Sequence, residues 1–153
     1  MSETEKKLIE MLDNLLIYSG ANSISLNTED GLVIATNSKQ NEDIEEQNTN
    51  FAAISASILS MAERGIEIIN TNKILEQIKI DAGVDAEVEE NIDEDFTILI
   101  TRVISNVLLQ IVFSKKINIG LIQFESSKTI NKIRELIQAD PSGEIFESIG
   151  SLL

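Results

Sequence analysis

Residues 23–35 read SISLNTEDGLVIA, which is the pattern of a β-hairpin. Alternation places Ile24 and Leu26 on one face of a first strand, and the run Leu32 to Thr36 predicts a second strand. Asp30-Gly31 supplies the turn between them, because glycine reaches positive φ angles without steric cost. The segment is therefore predicted to be two antiparallel strands joined by a short turn.

One helix precedes the hairpin and a longer helix follows it. Apolar residues recur at helical spacing up to Gly20, where the first helix is expected to end, and again over 51–69, where Thr49 or Asn50 could cap the second helix. The apolar arc of the second helix is about 200° wide, whereas a helix lying on one sheet typically shows a stripe of roughly 100° or somewhat more. The helix is either enclosed within its own domain or contacts a second surface as well.

Three further strands and a last helix complete the pattern. Residues 74–80 alternate as a strand, and residues 96–103 and 107–113 carry Ile, Leu and Val on both faces, which is typical of strands covered on both sides. Residues 117–136 are ambiguous in their first half. The isoleucine stripe persists for about five turns, which favours a helix from Asn118.

The net charge of −14 is concentrated in two segments. Residues 81–95 hold eight acids and no base, and residues 37–48 are also acidic. A calcium loop read from Asp81 would need glycine at its sixth position and glutamate at its twelfth, where the chain has Ala86 and Ile92. The acidic segment is therefore predicted to be a solvated loop, and nucleic acid and anionic membrane surfaces are poor partners.

Several functional classes are disfavoured by composition. The chain has no cysteine and no histidine, which removes disulfides, thiol chemistry, the commonest general base and the usual zinc, copper and haem ligands. No glycine-rich phosphate loop is present, and no apolar run reaches the roughly 18 residues of a membrane span. We therefore expect no cofactor, no metal, no catalytic residues and no insertion into a membrane. The N-terminus lacks a secretory signal pattern, so a cytoplasmic location is expected.

The chain is expected to hold one domain followed by a short tail. Residues 1–139 form the domain, with residues 81–95 as an acidic loop insertion, and Asp140-Pro141 ends the last helix. Within the tail, residues 140–153, apolar side chains recur at helical spacing after a possible Ser142 cap. They are Ile145, Phe146, Ile149 and Leu152. The tail either docks on the domain or serves as a detachable partner-binding motif.

The order helix, strand, strand, long helix, three strands, helix, with NTEDGLVIA at the hairpin, resembles the roadblock family, relatives of a dynein light chain. The Ala/Ser-rich helix at 51–59, the strand residues 108–112 and the helix start at 118–121 match as well. The resemblance covers about residues 5–138. The Asp-Gly-Leu motif is common, so the joint order of elements carries the resemblance. The acidic insertion and the tail are departures from the family pattern.

The resemblance implies an α+β fold, a profilin-like sandwich. Its five-stranded antiparallel sheet, in spatial order 2-1-5-4-3, would carry the first and last helices on one face and the long middle helix on the other. Family members pair by setting their middle helices side by side and joining their third strands edge to edge. They serve as scaffolds and regulators of small Ras-like GTPases.

A dimer interface is predicted from this pairing. Small side chains on one edge of the middle helix's apolar arc would permit close helix approach, and the third strand would offer free backbone groups. The predicted interface residues are Ala52, Ser55, Ala56, Leu59, Ala62, Ile66, Ile74, Ile78 and Ile80. The residues then expected to face their own sheet are Ile54, Ile58, Met61 and Gly65.

The leading functional prediction is a non-catalytic adaptor that binds and regulates a small Ras-like GTPase. It would form a homodimer, or a heterodimer with another roadblock protein. An inserted arginine finger from Arg64, Arg102 or Arg134 is possible but has no support in the sequence. The alternative is a small-molecule-sensing domain of profilin-like fold, for which Ser55 and Gln110 are the candidate polar residues.

Overall fold

A computed structural model describes residues 3–39, 44–83 and 95–139 of the chain, with the backbone alone described for 44–49. The element order is the predicted one. The elements are α1 (Glu3–Ser19), β1 (Ser23–Thr28), β2 (Val33–Ser38), α2 (Ile44–Ile69), β3 (Gln77–Ala82), β4 (Phe96–Ile104), β5 (Val107–Ser114) and α3 (Ile119–Gln138).

The five strands form one antiparallel sheet in the order β2-β1-β5-β4-β3, which confirms the predicted topology. β5 lies at the centre of the sheet, with Leu109 opposite Leu26 of β1 on one side and opposite Thr101 of β4 on the other. β2 and β3 are the two edge strands. The α+β sandwich fold is therefore confirmed.

Each face of the sheet carries its own apolar core. The larger core joins the sheet to α1 and α3, and its members include Leu12, Ile24, Leu99, Ile111 and Ile133. The smaller core lies under α2, where Leu59 packs with Ile98, Ile100 and Leu108. Because successive side chains of a strand point to opposite faces, Ile98 and Ile100 serve one core while Leu99 serves the other.

The β1–β2 turn is tied both to the sheet and to α2. Thr28 accepts a hydrogen bond at Oγ1 from the Leu32 amide, 3.0 Å away, and its own amide donates to the Leu32 carbonyl. Gly31 has φ +94°, and a Cβ placed there would meet Ala53 Cα at 3.1 Å and the Ala52 carbonyl oxygen at 3.4 Å. Glycine is therefore required at this turn by its backbone angle and by the closeness of α2.

Two element boundaries differ from the sequence prediction. α2 begins at Ile44, so Thr49 and Asn50 lie inside the helix and do not cap it, because the Glu- and Gln-rich run before them is also a good helix former. β3 begins at Gln77, three residues later than predicted. Just before the strand, the Arg102 amide donates to the Glu76 carbonyl and Arg102 Nε donates to the Leu75 carbonyl.

The last helix resolves the ambiguity at residues 117–136. Asn118 is the N-cap of α3, and its side chain accepts from the Gly120 amide at 2.7 Å, so the helical interpretation is confirmed. Asp81 and Ala82, which are predicted to lie in the acidic loop, belong to β3. Most of that loop, the break at Pro141 and the tail lie outside the described residues.

Candidate interaction surface

The outer face of α2 exposes a row of large apolar side chains. Phe51, Ile54, Met61, Ile68 and Ile69 are 37%, 55%, 72%, 87% and 86% exposed. They follow the helical repeat along one side, with the half-buried Ile58 between them. We call these six residues the α2 stripe. A contiguous apolar surface of this kind on a folded domain typically marks a binding site.

The predicted orientation of α2 is wrong. Ala52, Ser55, Ala56 and Leu59, which the sequence pattern predicts to face a partner, are buried in the chain's own domain. Ala62 and Ile66 are half-buried. Conversely, Ile54, Met61 and Gly65, which are predicted to face the chain's own sheet, are exposed, and Ile58 is half-buried.

The physical reason lies in the β1–β2 turn. Gly31 lies against Ala52 and Ala53, and this close approach requires small side chains on the inward face of α2. The small residues of α2 therefore serve packing within the domain. The large apolar residues of α2 lie on its exposed side. The dimer interface remains a prediction, and we now place it on the α2 stripe.

A polar cluster lies between α2 and the sheet. Ser55 Oγ donates a hydrogen bond to Gln110 Oε1, and Ser25 Oγ donates to Asn27 Oδ1 at 2.5 Å. All four residues are buried. Within the described part of the chain, Asn27 Nδ2 is buried without a hydrogen-bond partner. Ser55 and Gln110, the candidates for ligand sensing, bond to each other inside the domain, so their polar groups join α2 to β5.

The outer edge of β3 has no neighbouring strand within the described residues. Ile78 and Ile80 are half-buried and pack against the Leu59 core, so their side chains face inward under α2. Ile74 precedes the strand and is 66% exposed. Of the three predicted interface residues in this segment, Ile74 is thus the one whose side chain could contact a partner. Ile78 and Ile80 contribute through the backbone of an open edge.

Arg102 is a buried arginine that joins four parts of the fold. It is 8% exposed, and its guanidinium donates to the Leu75 carbonyl at 2.9 Å, to the Ser105 carbonyl and to Glu63 of α2. Glu29 in the β1–β2 turn lies 3.8 Å from Nη1. These contacts hold α2 against the sheet and leave Arg102 unsuited to insertion into a partner.

The other two arginines lie nearer the surface. Arg134 of α3 donates from Nε to the Val103 carbonyl at 2.7 Å. Arg64 is exposed on α2, beside the stripe. Of the three candidates for an arginine finger, Arg64 is the one whose side chain is exposed on the helix that carries the apolar surface.

On the other face of β3, Asp81 forms a small polar network. Thr97 Oγ1, directly across the ladder, donates to Asp81 Oδ1 at 2.7 Å. Lys79 Nζ lies 3.4 Å from Asp81 Oδ2. The hydrogen bond from Thr97, and then the nearby Lys79, lower the pKa of the Asp81 carboxyl below its ordinary value. This contact ties the edge strand to β4.

The described residues contain no group of three or more acidic, histidine or cysteine side chains placed to bind a metal ion. Over the same residues, no helix is both long and apolar enough to cross a membrane. The candidate site is the α2 stripe together with the open edge of β3.

Solved structures share this architecture. Myxococcus xanthus MglB is 20% identical, with TM-score 0.68, and the match covers 97% of this chain and 93% of that one. The gliding protein MglB of Thermus thermophilus is 13% identical, with TM-score 0.70, covering 90% and 93%. A Roadblock/LC7 domain from Streptomyces avermitilis is 12% identical, with TM-score 0.68, covering 86% and 98%.

Comparison with protein-family models and with curated proteins found no match. At these levels of identity the structural likeness concerns the fold, and it extends over nearly the whole of each compared chain. The order of elements, the sheet topology and the position of the long helix agree with it. The chain therefore has the fold of a roadblock-type domain.

Proposed function

We propose that the chain is a non-catalytic dimeric adaptor that binds and regulates a small Ras-like GTPase in the cytoplasm. The observation that carries the proposal is the α2 stripe, whose exposed members include Ile54, Met61 and Ile68. Exposed apolar side chains in a continuous row favour a partner that removes them from water. The partner is a second copy of this chain or another roadblock protein.

The position of the stripe suits a two-fold interface. In such an interface the same surface patch serves both subunits, so the patch must be complementary to itself. An apolar row along a helix meets this condition when it packs against its own copy, since it brings no like charges together. The open backbone of β3 would then pair antiparallel with the partner's β3 and extend the sheet.

The GTPase assignment rests on the roadblock resemblance together with the fold. The domain would act by binding and positioning the GTPase, so that hydrolysis would use the GTPase's own residues. Arg102 is not offered to the GTPase in this scheme, because its guanidinium forms hydrogen bonds inside the domain. Arg64 is the side chain to test for a direct contribution, since it lies exposed beside the α2 stripe.

The interface is tested by adding charge to the α2 stripe. Ile54→Glu and Met61→Glu place a carboxylate in the proposed interface, and light scattering should then give the mass of one chain. Ser60→Glu is the matched control, because Ser60 is exposed on the same helix but off the stripe. The control should keep the mass of two chains. An unchanged dimer in both stripe variants, or a monomeric parent protein at high concentration, would falsify the interface.

The GTPase assignment needs a separate experiment. Purified protein is tested for binding to Ras-like GTPases from the same cell, each loaded with GDP or with a GTP analogue. Binding that depends on the nucleotide is the expected result. Failure to bind any of them in either state contradicts the regulatory role and leaves the dimer proposal intact.

A further inference from the structure

A second surface with exposed apolar residues lies on the opposite side of the domain from the α2 stripe. Tyr18 at the end of α1 is 65% exposed, and Leu121 and Phe124 on α3 are 42% and 61% exposed. Next to them a groove of about 320 Å³ runs between the two helices, lined by Met11 and Tyr18 of α1 and by Lys128 and Lys132 of α3, among others. We call this the α1–α3 groove.

The groove carries a small net positive charge in a strongly acidic protein, because its lining holds Lys128 and Lys132 against one acid, Glu125. Lys128 lies 5.3 Å from the Phe124 ring centroid and 3.5 Å from Glu125 Oε2. Lys132 also lines the groove, and within the described residues it has no ion-pair partner. Two lysines beside exposed aromatic residues are suited to an amphipathic segment that carries carboxylates.

We propose that the α1–α3 groove is occupied by the chain's own residues 142–153. This segment has an apolar row at helical spacing, formed by Ile145, Phe146, Ile149 and Leu152. Residues 140–153 contain three acids and no base, the acids being Asp140, Glu144 and Glu147. Apolar residues would cover the exposed side chains of the groove, and the acids would face Lys128 and Lys132.

The distance along α3 permits this docking. Counted from Ala139, the last described residue, Phe124 lies about 22 Å back along the helix, since each residue rises about 1.5 Å. A segment of three extended residues followed by ten helical ones would span about 25 Å. The tail can therefore return along the groove as far as Phe124. Glu147 would then lie at about the level of Lys128, and Glu144 would be the acid nearest the level of Lys132.

The proposal does not depend on dimer formation or on GTPase binding, because α1 and α3 lie on the other face of the sheet from α2. Its test uses the full chain and measures hydrogen exchange of the amides of residues 142–153. Docking predicts exchange slower than that of an unstructured peptide by about tenfold or more. Tyr18 is the single tyrosine of a chain without tryptophan, so its fluorescence independently measures whether the tail covers the groove.

Charge variants identify the groove. Lys132→Glu should remove most of the protection, and combining it with Glu144→Lys should restore it. Lys73→Glu is the matched control, because Lys73 is exposed in the connection between α2 and β3, and it should leave exchange unchanged. Phe124→Ser tests the apolar contact in the same way, with circular dichroism confirming that each variant is folded.

Three results would overturn the proposal. The first is a tail that exchanges like an unstructured peptide in the parent protein. The second is protection that survives both Lys132→Glu and Phe124→Ser, which would place the tail elsewhere. The third is protection that disappears on dilution, which would show that the groove binds the tail of a second copy.

Discussion

Gly31 in the β1–β2 turn lies directly against the backbone of Ala53 in α2, where a Cβ on Gly31 would come within 3.1 Å of Ala53 Cα. The neighbour is backbone, so it cannot move aside as the end of a flexible side chain can. The turn that identifies the hairpin in the sequence therefore also sets the distance between the long helix and the sheet. That distance explains why small residues face inward on α2.

Replacing Gly31 by alanine should destabilise the fold by about 2 kcal/mol or more, because a positive φ is combined with a backbone clash. Gly20→Ala is the control, since Gly20 also has positive φ (+74°) but its added Cβ would meet only Ile117 Cδ1 at 3.5 Å. Urea unfolding of the two variants should show the larger loss at Gly31. Equal losses would mean that the contact with Ala53 contributes nothing.

Leu59 and Met61 should respond in opposite ways to truncation. Leu59 is 2% exposed and belongs to the core under α2, so Leu59→Ala should lower the free energy of unfolding by about 2–5 kcal/mol. Met61 is 72% exposed, so Met61→Ala should leave the stability of a single subunit nearly unchanged and weaken association. Unfolding at low protein concentration, with light scattering at high concentration, separates the two effects. A dissociated but fully stable Leu59 variant would contradict the orientation of α2.

Arg102→Lys should destabilise the domain, because an ammonium group cannot reproduce the fork of bonds to Leu75, Ser105 and Glu63. A loss of about 2–3 kcal/mol is expected, comparable to leaving buried hydrogen-bonding groups without partners. Arg134→Lys serves as control, since Arg134 is exposed and bonds one carbonyl. Thermal unfolding of both variants provides the measurement. Similar small shifts would show that Arg102 is not required to hold α2.

The Asp81–Thr97 contact predicts a pH dependence at the edge strand. Because the pKa of Asp81 is lowered in the folded state, its contribution to stability is present above the unfolded-state pKa and is lost as pH falls through the lowered folded pKa. Thr97→Val removes the largest cause and should bring the pKa of Asp81 back toward its ordinary value. NMR titration of the Asp81 carboxyl measures the shift. A titration unchanged by Thr97→Val would assign the lowering to Lys79.

The order and type of the elements could be predicted because apolar periodicity and turn residues are local properties of the chain. The hairpin around Gly31, the two-sided strands β4 and β5 and the start of the last helix at Asn118 all follow from residues near each other in sequence. The sheet order came from the resemblance, and the structure confirms it.

The orientation of α2 could not be predicted in the same way. Its wide apolar arc indicates two contacts but not which contact takes which side. Small residues such as Ala52 and Ala56 suit a close helix pair and a close helix–sheet contact equally well. The deciding neighbours, Gly31 and Gln110, are distant in sequence. Likewise, the residues next to Arg102 in the sequence do not indicate that it bonds Glu63 and the Leu75 carbonyl.

The position of β2 at the far end of the sheet decides where an assembly joined through β3 could grow further. If two subunits join through β3, both ends of the merged sheet are β2 strands. The last residues of β2, Thr36, Asn37 and Ser38, are polar, and Asn37 bonds Asp13 of α1. β2 has the same six-residue length as β3 and carries no charged side chain, so a third subunit joined strand to strand would have to add at β2.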